Sequence, residues 1–388
     1  MDKLTSHLPA SIGHSAGFSA ASTALEHITT LAAHHSKAPE ETLHQPATHA
    51  RSHEWLAALF PSAAHLEQLE ADHHLGNYVI DRRTGAKSFE AMSIYVRVGM
   101  HLLYYGSAQE KALHWARTVK LLEQQSRKMG ELYDAPESRD HIQPFVDSFV
   151  EVKNGLAELK QPDLTAYPNF NAFFARELKP TARPIDEPSD QLTVSSPADC
   201  RLTAYPTVDL ATQYWIKGTG FTISRLLGSD ELAAQFAGGS LVIARLAPQD
   251  YHRWHAPVSG TVESVADIPG AYYTVNPQAI NQEGTLDVFC ENRRSVMTLR
   301  RGASNARVAV VAVGAMLVGS IKYEEGAAVG REVRRGQCLG AFYYGGSTVI
   351  VVFPKGEVVL DEDLVRNSTE LSCETLMRVG WRVGAGPA

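Results

Sequence analysis

From Leu192 onward the chain is a succession of short β-like runs punctuated by glycine and proline, and this rhythm limits the fold more than any other feature. Apolar and β-branched segments recur at 240–246, 260–265, 272–275, 295–299, 308–313 and 316–321, with turn residues such as Gly260, Gly270, Gly302, Pro354 and Gly356 between them. Helical stretches do not alternate with these runs. A βαβ architecture is therefore not expected, and the spacing predicts an α+β protein with a β-rich domain of sandwich or barrel type.

One of these runs begins with a serine in an unusual place. Tyr343 and Tyr344 end one β-like run, Thr348 to Phe353 begin the next, and Gly345 and Gly346 between them put no Cβ restraint on the backbone. Such a kink can present the Gly346 carbonyl to the Ser347 hydroxyl. If a base takes the Ser347 proton, the oxygen can attack that carbonyl, convert the peptide to an ester, and let β-elimination cut the chain. Hydrolysis of the resulting dehydroalanine leaves a pyruvoyl group on residue 347. A Gly-Gly-Ser-Thr tetrapeptide is more often a plain hairpin turn, so the rest of the chain must supply the base.

Two stretches can do so. Asp199 follows Pro197 and Ala198 in a turn-like setting from which a carboxylate can point back at another segment. His252 and His255 stand three residues apart between prolines, where both rings can face one pocket. A base that titrates near neutral pH, an orienting carboxylate and a hydroxyl are what serine activation needs. Taken singly, each is more often a satisfied polar residue.

The region before this is different. Residues 1–50 are rich in Ala, Ser, Thr and His and weakly periodic, which predicts a loosely ordered tail with a short helix near 22–33. Most of the sixteen histidines lie before residue 75, and scattered histidines in a polar stretch are usually solvated, so no metal site is expected. Residues 51–165 are expected to be helical. The clearest case is 107–129, where Ser107 and Glu110 form a capping box and Gly130 stands at the C-terminal end. Residues 92–105 are apolar apart from Arg97 and His101, the pattern of a buried packing helix or of one that docks on a bilayer surface. Near 169, Asn169 or Asn171 is placed to cap a short helix. The catalytic part is expected over 166–388.

A net charge of −7 argues against a general nucleic-acid binder, and no apolar run reaches the roughly 20 residues a membrane span needs. The start of the chain fits neither a signal nor a transit peptide. The four cysteines are far apart and read as reduced thiols, so the expected location is cytoplasmic.

Several separate motifs together resemble the phosphatidylserine decarboxylase family of pyruvoyl enzymes. They are FNAFFARELKPTARP at 170–184, SPAD at 196–199, APQDYHR at 247–253, YTVNP at 273–277, ENR at 291–293, VGAMLVGSI at 313–321 and GGST at 345–348. The stretch from Tyr95 also resembles the helical region of soluble eukaryotic members. The resemblance implies self-cleavage between Gly346 and Ser347 into a large chain, 1–346, and a small chain, 347–388. It also implies that Asp199, His255 and Ser347 form the cleavage triad, with His255 as base and Asp199 fixing its tautomer. His252 would then serve the decarboxylation, in which a substrate amine forms a Schiff base with the pyruvoyl cofactor and carbon dioxide leaves. The implied substrate is a phospholipid, phosphatidylserine, giving phosphatidylethanolamine. Peripheral membrane contact and a homodimer are the further associations considered. Among the cationic residues that could face an anionic headgroup are Arg293, Arg294, Lys322 and Arg331.

The pattern departs from the family at Cys200, where many members carry glycine, and at Trp254 and Ala256 beside the histidines. These changes are expected to touch the substrate pocket. They look like a fungal branch that decarboxylates free aromatic amino acids, so tryptophan is the alternative substrate. A third reading, a non-enzymatic lipoyl-like binding module, rests on the glycine-spaced turns at 326–340, where no lysine occupies a hairpin tip.

Overall fold

A computed structural model describes residues 76–91, 130–214, 216, 221–271, 287–314, 321–343 and 347–387. The expected tail, the helices near 22–33, 92–105 and 107–129, the run at 272–275 and the glycine pair 345–346 lie outside the described residues. So does the run at 316–321, apart from Ile321.

The described strands are β1 (Gly76–Asp81), β2 (Lys87–Ala91), β3 (Thr193–Ser195), β4 (Cys200–Tyr205), β5 (Ser240–Leu246), β6 (Arg253–His255), β7 (Gly260–Ile268) and β8 (Arg294–Arg301). They continue with β9 (Arg307–Gly314), β10 (Ile321–Tyr323), β11 (Glu332–Val333), β12 (Cys338–Phe342), β13 (Ser347–Phe353), β14 (Val359–Leu360), β15 (Glu374–Met377) and β16 (Arg382–Ala385). Ten of them form one sheet in the order β11-β7-β8-β9-β13-β5-β4-β15-β1-β2. Two three-stranded sheets, β10-β12-β6 and β14-β16-β3, complete the fold. Among the described strands the sheets are sandwich-like and none closes into a barrel, so the protein is α+β with a β-rich centre.

Strand β13 lies in the interior of this arrangement. It pairs antiparallel with β5 from Ser347↔Leu246 to Phe353↔Ser240, and with β9 from Ser347↔Gly314 onward. All seven of its residues are buried, which explains why STVIVVF reads as a continuous apolar run: both faces of the strand are covered. Val349, Val351 and Phe353 enter a core shared with Trp254, Leu339, Phe342 and Val383 of the small sheets. Ile350 and Val352 enter a second core, closed by Ala211, Leu226, Leu227 and Phe289 from short helices on the opposite face. Successive residues thus serve two layers, as a period of two requires.

A third core is aromatic. Helices α1 (Ile142–Ser148), α2 (Val150–Asn154) and α3 (Phe170–Phe174) gather Tyr133, Phe145, Phe170, Phe173 and Phe174. The Asn169 side chain caps α3 by accepting from the Ala172 amide at 2.8 Å, which selects between the two asparagines the sequence offered. This core crosses residue 165: residues between 133 and 159 pack directly against 167–174.

One stretch differs from its expectation. Residues 76–91, inside the region expected to be helical, form the β1–β2 hairpin, and β1 pairs parallel with β15. Arg82 reinforces this join through Asp361 (2.8 Å) and Asp363 (2.7 Å). The alternation in NYVID is short, and its pairing partner lies almost 300 residues away, where local periodicity does not reach.

Candidate active site

The site is built where β5 ends and β13 begins. After Leu246 the chain makes a turn held by Asp250, whose Oδ2 accepts from the Ala247 amide at 2.7 Å while its own amide donates to the Ala247 carbonyl at 2.9 Å. Arg201 of β4 grips the same carboxylate at 2.6 Å. Burial pushes the Asp250 pKa up, and Arg201 opposes that shift. This turn delivers His252.

His252 is fully buried. Its Nε2 lies 3.0 Å from the Ala247 carbonyl and its Nδ1 lies 3.2 Å from Ser347 Oγ. A carbonyl only accepts, so Nε2 carries the proton and Nδ1 presents its lone pair to the serine, which donates its O–H. The Phe174 ring stacks on the imidazole with centroids 4.0 Å apart. Burial, and then the positive charge of Arg176, push the His252 pKa down to about 3. The ring is therefore neutral at physiological pH, with the Nδ1 lone pair accepting the serine hydrogen bond.

Ser347 is itself fully buried as the first residue of β13. Its backbone is fixed on both sides by Leu246 and Gly314. The hydroxyl is thus held rather than free to rotate into water.

His255, on β6, is half-buried. Its Nδ1 donates to the Gly336 carbonyl at 2.9 Å, which leaves Nε2 to accept from the Tyr251 hydroxyl at 3.2 Å. Burial lowers its pKa, while the Gly336 contact and the nearby charge of Asp199 raise it. Asp199 accepts from Arg183 Nη2 at 2.6 Å and from the Val379 amide at 2.8 Å. Arg183 also reaches Glu158 at 2.7 Å.

The structure thus brings His252 and Ser347 into direct contact. Among the described hydrogen bonds, none joins His255 to Ser347 or Asp199 to either histidine. Gly346 lies outside the described residues. Several supporting residues escaped the sequence reading: Phe174, Arg176, Arg183, Arg201, Asp250 and Tyr251. The signal was available, since all but Arg201 sit inside the motifs at 170–184 and 247–253.

Trp254, Ala256 and Cys200, the departures expected to touch a substrate pocket, are buried in the hydrophobic core, with Trp254 packed on Phe342 at 4.6 Å between centroids. On the short strand β6 the residue between two site-facing neighbours must point the other way, and Trp254 is that residue. Arg294 does not face a headgroup. It is buried and donates to the carbonyls of Leu226, Cys290 and Arg225. Arg331 and Lys322 are exposed, with the Lys322 ammonium 4.1 Å from the Tyr343 ring centroid. No described helix is long and apolar enough to cross a membrane.

A family model described as phosphatidylserine decarboxylase matches residues 170–385, more than half of the chain. Phosphatidylserine decarboxylase proenzyme 3 of Schizosaccharomyces pombe is 44% identical over 308 residues, which cover 79% of this chain and 30% of the relative. Phosphatidylserine decarboxylase proenzyme 2 of Oryza sativa is 41% identical, covering 83% of this chain and 51% of the relative. The chain therefore spans about half or less of these two relatives. The proenzyme of Fusobacterium nucleatum is 35% identical, and there the match covers 79% of this chain and 96% of the relative. On the family model and on the full-length bacterial relative, this chain belongs to the phosphatidylserine decarboxylase family.

Proposed function

We propose that the chain is a proenzyme that cuts itself between Gly346 and Ser347 and then converts phosphatidylserine to phosphatidylethanolamine and carbon dioxide. The observation that carries this reading is the buried Ser347 hydroxyl donating to a neutral imidazole at the head of a central strand. The relatives' names supply the substrate.

In the cut, a base takes the Oγ proton and the oxygen adds to the Gly346 carbonyl carbon. The peptide C–N bond breaks as the nitrogen gains a proton, leaving an ester. Loss of the Ser347 α-proton then breaks the Cβ–O bond, and Gly346 leaves as a carboxylate. Water replaces nitrogen on the dehydroalanine and ammonia departs, so residue 347 ends as a ketone.

The site fits a pyruvoyl group. It has one heavy atom fewer than the seryl residue it replaces, and residue 347 already opens its strand beside a titratable ring. When present, the group supplies an electron sink for an amine substrate's α-carbon. The chain's own residues do the rest. His252 holds a proton-accepting nitrogen at residue 347, and the Phe174 ring and surrounding core keep water away from it.

For the division of labour we propose that His255, in the field of Asp199, is the base for cutting, and that His252 returns the proton after carbon dioxide leaves. A second reading makes His252 the cutting base, because its Nδ1 is the nitrogen that touches Ser347 Oγ. Masses of the His252→Ala and His255→Ala proteins separate the two: the variant that stays a single chain has lost the cutting base.

The function is tested by carbon dioxide release from phosphatidylserine in detergent micelles, with free tryptophan alongside and the Ser347→Ala protein as blank. Release from the lipid is expected. Release from tryptophan with the lipid inert would replace this substrate with a free aromatic amino acid.

A further inference from the structure

Arg176 is a buried guanidinium with no salt-bridge partner within 4 Å among the described residues. It is 5% exposed; its Nη2 donates to the carbonyls of Gln249 (3.2 Å) and Asp250 (3.1 Å), and its Nη1 is buried with no hydrogen-bond partner. The guanidinium also lies over the Phe173 ring, 5.1 Å from its centroid, but a ring face and two carbonyls offset the cost of taking a cation out of water less than a carboxylate would. A residue kept there despite that cost has a task that its position should reveal.

That position is the back of His252. The two carbonyls it holds belong to the turn that delivers the imidazole. The neighbouring Ala175 carbonyl accepts from Arg253 Nε at 2.8 Å, on the other side of His252. Phe174, two residues before Arg176, stacks on the ring itself. One segment, 174–176, therefore touches the chain before His252, the ring of His252 and the residue after it. The aromatic core anchors this segment from behind through Phe170 and Phe173.

We propose that Arg176 is a positioning residue for His252: with Phe174 it fixes the 247–251 turn and the imidazole so that the Nδ1 lone pair stays aimed at residue 347. This rests on the reading of Ser347 and His252 as parts of the active site. Two consequences follow from the geometry. First, the turn keeps the Ala247 carbonyl on Nε2, and that contact selects the tautomer. Second, the guanidinium charge opposes any positive charge on the ring. The groups that bear on the ring are Arg176 from the end of α3, the Ala247 and Pro248 carbonyls of the turn, and the Ser347 hydroxyl of β13. Asp250 of the same turn is spoken for by Arg201. Burial and Arg176 act in one direction, toward the neutral ring, and the turn carbonyls act against them.

The test reads the ring directly, so that it survives failure of the functional reading. In the Ser347→Ala protein, which keeps one intact chain, the His252 imidazole is followed by nitrogen and proton NMR from pH about 8 to about 4. With Arg176 present, one tautomer protonated at Nε2 is expected, with no protonation across this range. With Arg176→Gln the ring should titrate at least about one pH unit higher and show mixed tautomers, because the carbonyl clamp and the opposing charge are both gone. An unchanged titration and tautomer overturn the proposal.

Arg176→Lys, with Ser347 intact, provides an independent arm. A lysine keeps the charge but not the planar fork. Chain cutting or lipid decarboxylation should slow by about tenfold or more, with KM for phosphatidylserine within about twofold of the parent value. A lysine form as fast as the parent in both reactions overturns the proposal. A rise in KM alone would instead make Arg176 a contact for the anionic substrate, and overturns it as well.

Discussion

Acidification should destabilise this protein through His252, and the size of the effect can be worked from its burial. The imidazole falls from an ordinary value of 6.5 to about 3 in the folded chain, with burial the larger cause and Arg176 the next. The unfolded chain therefore binds the proton more readily than the folded one. Stability attributable to this residue is fully present above the unfolded value and is lost as pH falls from about 6.5 toward 3. At pH about 5, the unfolded form gains about 1.5 pKa units' worth of protonation that the folded form lacks, or about 2 kcal/mol. The assay is urea unfolding of the Ser347→Ala protein, which remains a single chain, at pH about 7.5 and about 5. The reference is the same protein carrying His252→Gln. His255 also shifts downward on burial, but it is present in both proteins and cancels. The protein with His252 should lose about 2 kcal/mol more between the two pH values than its partner does. Equal losses in the two proteins would refute the argument, because they would mean that His252 is hydrated, or already charged, in the folded state.

Three further outcomes are expected. The parent protein should give two masses under denaturing conditions, with cleavage before residue 347, and the smaller one should resist N-terminal sequencing; Ser347→Ala should give one. In native mass spectrometry the two pieces should stay together after cutting, because β13 pairs along its length with β5 and β9 and β15 pairs with β4 and β1; spontaneous release of the small chain would contradict the strand order. Gly340→Ala should destabilise the fold by about 1–3 kcal/mol, because an added Cβ would lie 2.4 Å from the Trp254 ring and 2.5 Å from the Lys322 carbonyl; a thermal midpoint matching the parent's would show that Trp254 can move aside.

The β-rich centre was legible because β13, β5 and β9 are long and apolar and are bounded by glycine or polar turns. The runs at 240–246 and 308–313 match β5 and β9 to within a residue or so. The hairpin at 76–91 was not legible, since five- and six-residue strands carry little periodicity and β1 finds its parallel partner only after the rest of the sheet exists. In the site, residue types were readable but directions were not. Sequence spacing puts His252 and His255 three apart, yet β6 begins between them, so their rings follow different backbone geometries and meet different partners. The same limit explains Trp254: its neighbours in sequence suggest a pocket, and the pleat turns it into the core.

That last point bears on substrate choice. The resemblance to enzymes of free aromatic amino acids rested on Trp254 and Ala256, and both side chains pack among Val, Leu and Phe in the large core. A residue there changes strand packing and reaches a substrate only through its neighbours. Gly340 shows how: its Cα passes so close to the indole that the residue opposite Trp254 on β12 is effectively confined to glycine. Trp254 and Gly340 are thus a matched pair, in which the large side chain of one strand is accommodated by the missing side chain of the next. Such pairs set the separation of β6 and β12, and β6 carries His255. A change at Trp254 is therefore expected to act on the placement of His255, and through it on chain cutting, before it acts on which amine the enzyme accepts. Trp254→Phe tests this order. Slower cutting with an unchanged preference between phosphatidylserine and tryptophan supports it, while a switch in preference at an unchanged cutting rate would return Trp254 to the substrate pocket.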